Sequence, residues 1–143
     1  MAKKSNKVFV DSNYFIALQN KNDSLHAKAI SDAKKIHSEG KIVVISNFVF
    51  LEVITVVSQY LGRQKASAYG RQILRDSAIE MIHVSSQLHE DSWVLFQSIN
   101  KKNMSFIDCS IIAVMKHCGI GSLLTYDSTN FSSLVKEDEI VLF

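Results

Sequence analysis

Five short runs of strand length, Val8–Val10, Ile42–Ile45, Ile79–Val84, Ser122–Thr125 and Ile140–Phe143, punctuate this chain, and segments with helical spacing fill the gaps between them. Strands that read as near-continuous apolar runs are buried on both faces, which is the mark of a parallel sheet covered by helices. The helical segments support this. Ala27–His37 places Ala29, Ile30, Ala33 and Ile36 at helical spacing, and Phe106–Cys118 puts Ile107, Ile111, Val114 and Cys118 on one stripe. Lys65–Arg75 is amphipathic and basic, Asn47–Leu61 is apolar nearly all round, and Leu88–Ile99 carries Leu88, Trp93, Leu95, Phe96 and Ile99 over successive turns. The expected fold is α/β: a three-layer α/β/α sandwich around a mainly parallel sheet of about five strands. The 143 residues suit one domain spanning 1–143, with no repeat, no low-complexity linker and no proline.

Composition narrows the function classes. Hydrophobic residues make up 47% and charged residues 21%, a globular balance, and the net charge of +2 neither demands nor excludes a polyanionic partner. The N-terminal stretch is basic but lacks the apolar core of a signal peptide. Ile42–Gly62 approaches transmembrane length, yet Asn47, Glu52, Ser58 and Gln59 interrupt it, and an acid near mid-span costs roughly 3 kcal/mol on insertion. Cys109 and Cys118 lie about 13 Å apart along one helix, too far for a disulfide. The expectation is a soluble cytoplasmic protein with two reduced, buried thiols.

Four carboxylates stand in apolar surroundings. Glu52 is the one formal charge between Lys41 and Arg63, and Asp108 is alone in Met104–Met115. Asp11 directly follows the first apolar run and Asp127 lies two residues past Thr125. Isolated anions in a core are costly unless something cationic meets them, and no Lys or Arg sits beside any of these. In open parallel sheets, ligands bind beyond the carboxyl ends of the strands, the edge all four can reach. Three have structural alternatives. Asp11 suits an N-cap, Asp108 completes a capping-box pattern with Ser105, and Asp127 suits a turn. Glu52 lies too deep in its helix to cap it.

Taken in order, V-F-V-D-S-N-Y, S-N-F-V-F-L-E-V, S-F-I-D-C-S-I-I-A and L-L-T-Y-D-S-T-N-F resemble the PIN-domain nucleases from Val8 to Phe143. The matching positions are Asp11, Ser12 and Asn13; Ser46 and Glu52; Ser105 and Asp108; and Thr125, Asp127 and Phe131. One departure is the spacing from Asp127 to Phe131, with three intervening residues where two is commoner. Single-domain PIN proteins of this size look most like VapC-type toxins. The resemblance implies a metal-dependent endoribonuclease, a homodimer, and inhibition by a small antitoxin protein.

An all-carboxylate cluster without His or Cys suits Mg²⁺ or Mn²⁺ better than zinc. In this reading Asp11 and Asp108 bind the metal most directly, and Glu52 and Asp127 bind through water or complete a second site. RNA is cut to a 5′-phosphate and a 3′-hydroxyl, because the ribose 2′-OH is not the nucleophile. Asn13, Ser105 and Thr125 are candidate donors that orient the carboxylates, with cap and turn roles open to the last two. Arg63, Lys65, Arg71 and Arg75 could track an RNA backbone or form a solvated helix face. The five histidines show no metal-ligand spacing, and Trp93 and the phenylalanines read as core. Part of Asn47–Leu61, with Tyr60 and Leu61, is a candidate surface for a second subunit or an antitoxin helix. Competing readings are a PIN nuclease for RNA maturation or DNA cleavage, a non-catalytic PIN interaction module, and a receiver-type phosphoacceptor. The last requires an acid ending the third strand, which His83-Val84-Ser85 does not offer.

Overall fold

A computed structural model describes residues 5–136 and 140–143; the basic start at Met1–Lys4 falls outside the described residues. Five strands, β1 (Lys7–Val10), β2 (Ile42–Ser46), β3 (Ile79–Ile82), β4 (Ser122–Leu124) and β5 (Val141–Leu142), form one sheet of order β3-β2-β1-β4-β5. Every pairing is parallel. The seven α-helices are α1 (Ser12–Gln19), α2 (His26–Ser38), α3 (Asn47–Leu61), α4 (Arg63–Arg75), α5 (Ser86–Ser98), α6 (Phe106–Cys118) and α7 (Ser132–Lys136). A 3₁₀ turn at Ser128–Phe131 precedes α7. Parallel neighbours require crossovers, and right-handed crossovers put helices on opposite faces once strand order reverses. Accordingly α1 packs on α2 and α3, and α3 on α4, while α5 packs on α6. The sandwich inferred from the alternation of runs is the fold observed.

Each element has a local cause. Val8, Phe9, Val10, Val44 and Ile45 are fully or almost fully buried, so β1 and β2 carry side chains into both helical layers. Ser46 caps α3 by accepting from the Val49 N–H, and Ser85 caps α5 by accepting from the Leu88 N–H, which starts that helix two residues before Leu88. Gly119 ends α6 in the left-handed region at φ 66, where a Cβ would be strained. The third strand is shorter than the apolar run Ile79–Val84, because the Val84 N–H donates to the Asn47 side chain instead of the sheet. No periodicity announced the 3₁₀ turn or α7; Phe131, wholly buried, anchors them.

Two expectations about the core need correction. Cys109 is buried but Cys118 is exposed, because it closes the last turn of α6 beside Gly119. Trp93 is 44% exposed and Phe96 39%, stacked on one another at 5.9 Å and touching Phe106 of α6 at the rim of the α5–α6 contact. Helical spacing reports which residues share a face, not whether another element covers that face.

Candidate active site

The parallel register builds the centre of the site. Phe9 pairs with Leu123 and Val10 with Leu124, and the Asp11 N–H continues that ladder by donating to the Leu124 carbonyl at 2.9 Å. Asp11 therefore stands opposite Thr125, at the point where strand order reverses on either side of β1. The Thr125 hydroxyl donates to Asp11 Oδ2 at 2.8 Å, and the Ser12 N–H donates to Oδ1 at 2.7 Å. An N-cap serves the second or third helical N–H; Asp11 serves only the first, so capping accounts for one oxygen and not the other.

Glu52 approaches from α3, about one and a half turns after its start. It is half-buried, and its Oε1 accepts a hydrogen bond from the Ser12 hydroxyl, which also lies 3.4 Å from Asp11 Oδ1. Asp108 arrives on the first turn of α6 in the capping box with Ser105. Its Oδ2 accepts from the Ser105 N–H at 3.0 Å, and its N–H donates to the Ser105 hydroxyl at 3.1 Å. Asp127 is exposed and makes no side-chain cap; its Oδ2 accepts from Asn13 Nδ2 at 3.2 Å. Asn13 Oδ1 in turn accepts the Tyr126 N–H at 3.2 Å, tying the start of α1 to the end of β4.

The electrostatics bind the four acids into one group. Burial, followed by the charges of Asp108 and Glu52, pushes Asp11 up to about 6, against the lowering effect of the bonds from Thr125 and Ser12. Burial also raises Asp108, helped by Asp127 and Glu52 and opposed by Ser105. Among the described residues the ion pairs are Lys7–Glu80 and Lys28–Asp32, so none of the four acids has a lysine or arginine partner. Among the described residues no three His, Cys, Asp or Glu side chains surround a common point closely enough to hold an ion. The chemistry of the set still fits a hard divalent cation: all ligands are oxygen, the like charges are uncompensated, and two of the four are buried.

Asp11, Glu52, Asp108, Asp127, Asn13, Ser105 and Thr125 thus meet at one sheet edge. Arg63, Lys65, Arg71 and Arg75 do not join them. The helix α3 runs about 22 Å before Arg63, and α4 folds back against it, with Gly70 on Ile54 and Phe50, before the chain enters β3; Arg71 donates to the Ser67 hydroxyl on its own helix. A cavity of about 620 Å³ lined by Tyr14, Ile36, Tyr69 and Ile73 includes none of the acids. Sequence reasoning passed over Ser12, which bridges Asp11 and Glu52, and Asn130, whose amide lies 3.5 Å from Asp108 Oδ2. Ser12 was visible only as a small residue after Asp11. No pattern marked Asn130, because its role depends on a turn that brings it across 22 residues.

Known proteins resemble this chain in sequence and in fold. The sequence is 29% identical over 121 residues to the 23S rRNA-specific endonuclease VapC20 of Mycobacterium tuberculosis, covering 84% of this chain and 88% of that one. The crystal structure of M. tuberculosis VapC20, described as a sarcin-ricin loop cleaving toxin, superposes with a TM-score of 0.76 at 27% identity, over 88% of this chain and 94% of that one. A toxin–antitoxin complex from Klebsiella pneumoniae shares the fold at a TM-score of 0.65 and 19% identity, covering 94% and 95% of the two chains. The PIN domain family matches residues 8–136, which takes in all four acids, both faces of the sheet and the turn after β4. This chain belongs to the PIN domain family.

Proposed function

We propose that the protein is a divalent-metal-dependent endoribonuclease, the toxin of a toxin–antitoxin pair, acting on ribosomal RNA. Membership of the PIN family carries divalent-metal dependence with it; Mg²⁺ or Mn²⁺ is our assignment, from the all-oxygen donor set. The observation that carries the reading is the convergence, on the edge where β1 and β4 end, of four carboxylates with no lysine or arginine partner among the described residues. Asp11 and Asp108, the two buried acids, would hold the ion most directly, with Glu52 and Asp127 completing its surroundings. When bound, such an ion polarises the phosphodiester and activates water for in-line attack. Thr125 and Ser12 hold the two oxygens of Asp11, Ser105 holds Asp108, and Asn13 holds Asp127, so each carboxylate is oriented by its own donor, and an ion would draw them closer together than they stand here.

The substrate assignment, the sarcin–ricin stem-loop of 23S rRNA, draws on the likeness to VapC20 in sequence and structure. Incubating ribosomes with the protein and Mg²⁺ or Mn²⁺ is expected to give one dominant break in that loop, with a 5′-phosphate on the downstream fragment. Chelation should abolish the break. Primer extension maps it, and cleavage that persists in chelator would sink the metal reading. Ribosomal substrate places the work in the cytoplasm, and among the described residues no helix is long and apolar enough to cross a membrane.

The partners follow from surface chemistry and fold. Leu51 on α3 is 63% exposed and Val94 on α5 56%, apolar area that a second copy would cover. Light scattering is expected to return twice the 16.1 kDa chain mass, and a monomer would refute that. The shared fold with the Klebsiella toxin–antitoxin complex supports a small antitoxin protein as inhibitor.

A further inference from the structure

The 3₁₀ turn that follows Asp127 has little of its own to hold it. Ser128 and Thr129 are exposed, and the hydrogen bond internal to the turn runs from the Asn130 N–H to the Asp127 carbonyl at 3.0 Å. At one end Phe131 is buried; at the other the chain has just left β4. Asp127 at the start of the turn is tied to Asn13 and to the Thr125 hydroxyl, and the Ser132 N–H at its end donates to the Thr129 carbonyl; the middle of the turn is held from the loop that joins α5 to α6. Lys101 Nζ donates to the Thr129 carbonyl at 2.7 Å, the Asn130 carbonyl at 3.3 Å and the Ser132 hydroxyl at 3.1 Å. Asn130 Nδ2 reciprocates, donating to the Asn103 carbonyl at 3.2 Å and lying 3.5 Å from Asp108 Oδ2.

The ammonium is spent on neutral acceptors and forms no ion pair with a carboxylate among the described residues. A lysine that paired with Asp127 or Asp108 would occupy the oxygens needed for a metal. One that grips the backbone beside them holds two repelling acids near each other while leaving those oxygens available. We propose that Lys101 and Asn130 form a clamp that positions the Asp127 turn against Asp108, which makes Lys101 a positioning residue of the metal pocket. The inference rests on the nuclease reading for its role, although the clamp itself does not.

The test is the full-length Lys101→Met variant, with Asn130→Ala as a second lesion and Lys102→Met, the exposed neighbour, as the control. Three quantities are measured: amide hydrogen exchange at Asn130 without metal, Mn²⁺ affinity by calorimetry, and kcat and KM on a stem-loop RNA. Both clamp variants are expected to exchange about tenfold faster at the backbone amide of position 130, and to bind Mn²⁺ about tenfold more weakly. The value of kcat should fall about 10- to 100-fold with KM within about twofold, and Lys102→Met should match wild type. Unchanged exchange and Mn²⁺ affinity in both clamp variants overturn the clamp. A raised KM with Mn²⁺ affinity intact also overturns it, because Lys101 would then be an RNA contact. Wild-type protein that binds Mn²⁺ but cuts no RNA overturns the nuclease reading alone, and the clamp is then judged on exchange and Mn²⁺ affinity. Wild type that binds no Mn²⁺ overturns both.

Discussion

Asp11→Asn is expected to lower RNA cleavage by about 10²–10³-fold while making the metal-free protein more stable. The two effects have one cause. Asp11 is 3% exposed, has no cationic partner among the described residues, and is held at about 6 by burial and by the charges of Asp108 and Glu52. At neutral pH the folded state therefore carries this anion at a cost of about 3 kcal/mol relative to a free carboxyl. Asparagine removes the charge and keeps the shape. Its Oδ1 can accept the Ser12 N–H, and its amide can donate to the Thr125 hydroxyl, which rotates to suit. Melting of the variant without metal should occur about 5 °C above wild type near neutral pH. A variant that melts lower would mean that Asp11 earns its place structurally, as a cap, and the functional reading of the buried acid would lose its main physical support.

Added divalent metal should reverse the pH dependence of stability. A carboxyl raised from 3.8 to about 6 on folding binds its proton more tightly in the folded than in the unfolded state. Stability of the metal-free protein should then decline as pH rises from about 4 through 6 and level off above about 7, with Asp108 acting in the same direction. A divalent ion competes with those protons and binds the ionised cluster, so its stabilisation should grow over the same window. At a metal concentration about 100 times the dissociation constant the gain is about 2.7 kcal/mol. Calorimetric scans near pH 5 and near pH 7.5, with and without Mn²⁺, separate the two regimes. We expect little Mn²⁺ effect in acid, a rise of several degrees at the higher pH, and loss of that rise in Asp108→Asn. A melting temperature indifferent to Mn²⁺ at both pH values would be incompatible with a shared metal pocket.

The candidate site was legible to different depths at different residues. Glu52 announced itself because a charge inside Ile42–Gly62 has no cheap explanation, and it does stand half-buried without a basic partner among the described residues. Asp11, Asp108 and Thr125 were found through order and context, yet the cap readings weighed against two of them also hold. Asp108 closes a capping box, and Asp11 accepts the first N–H of α1. A carboxylate has two oxygens, so a side chain that accepts a backbone N–H on one can still offer the other to a second partner, as Asp11 does to Thr125. Patterns of spacing could not anticipate this, since they assign each residue a single environment. Trp93 shows the opposite failure: the buried face of α5 runs through Leu88 and Ser92, and Trp93, about 100° further round, is left at its rim, half exposed.

From its residues alone, the chain specifies the alternation of buried strands and helices, and with it a parallel sheet whose carboxyl edge gathers Asp11, Glu52, Asp108 and Asp127. That much is local: apolar runs, cap residues and the period of a helix are properties of neighbouring side chains. Which atoms meet was settled only when β1 and β4 came into register and set Thr125 on Asp11, and when the turn after β4 brought Asn130 and the bonds of Lys101 beside Asp108. Those contacts join residues separated by 114, 22 and 28 positions, and no local preference encodes them. They exist because the packed sheet leaves the connecting segments few places to go.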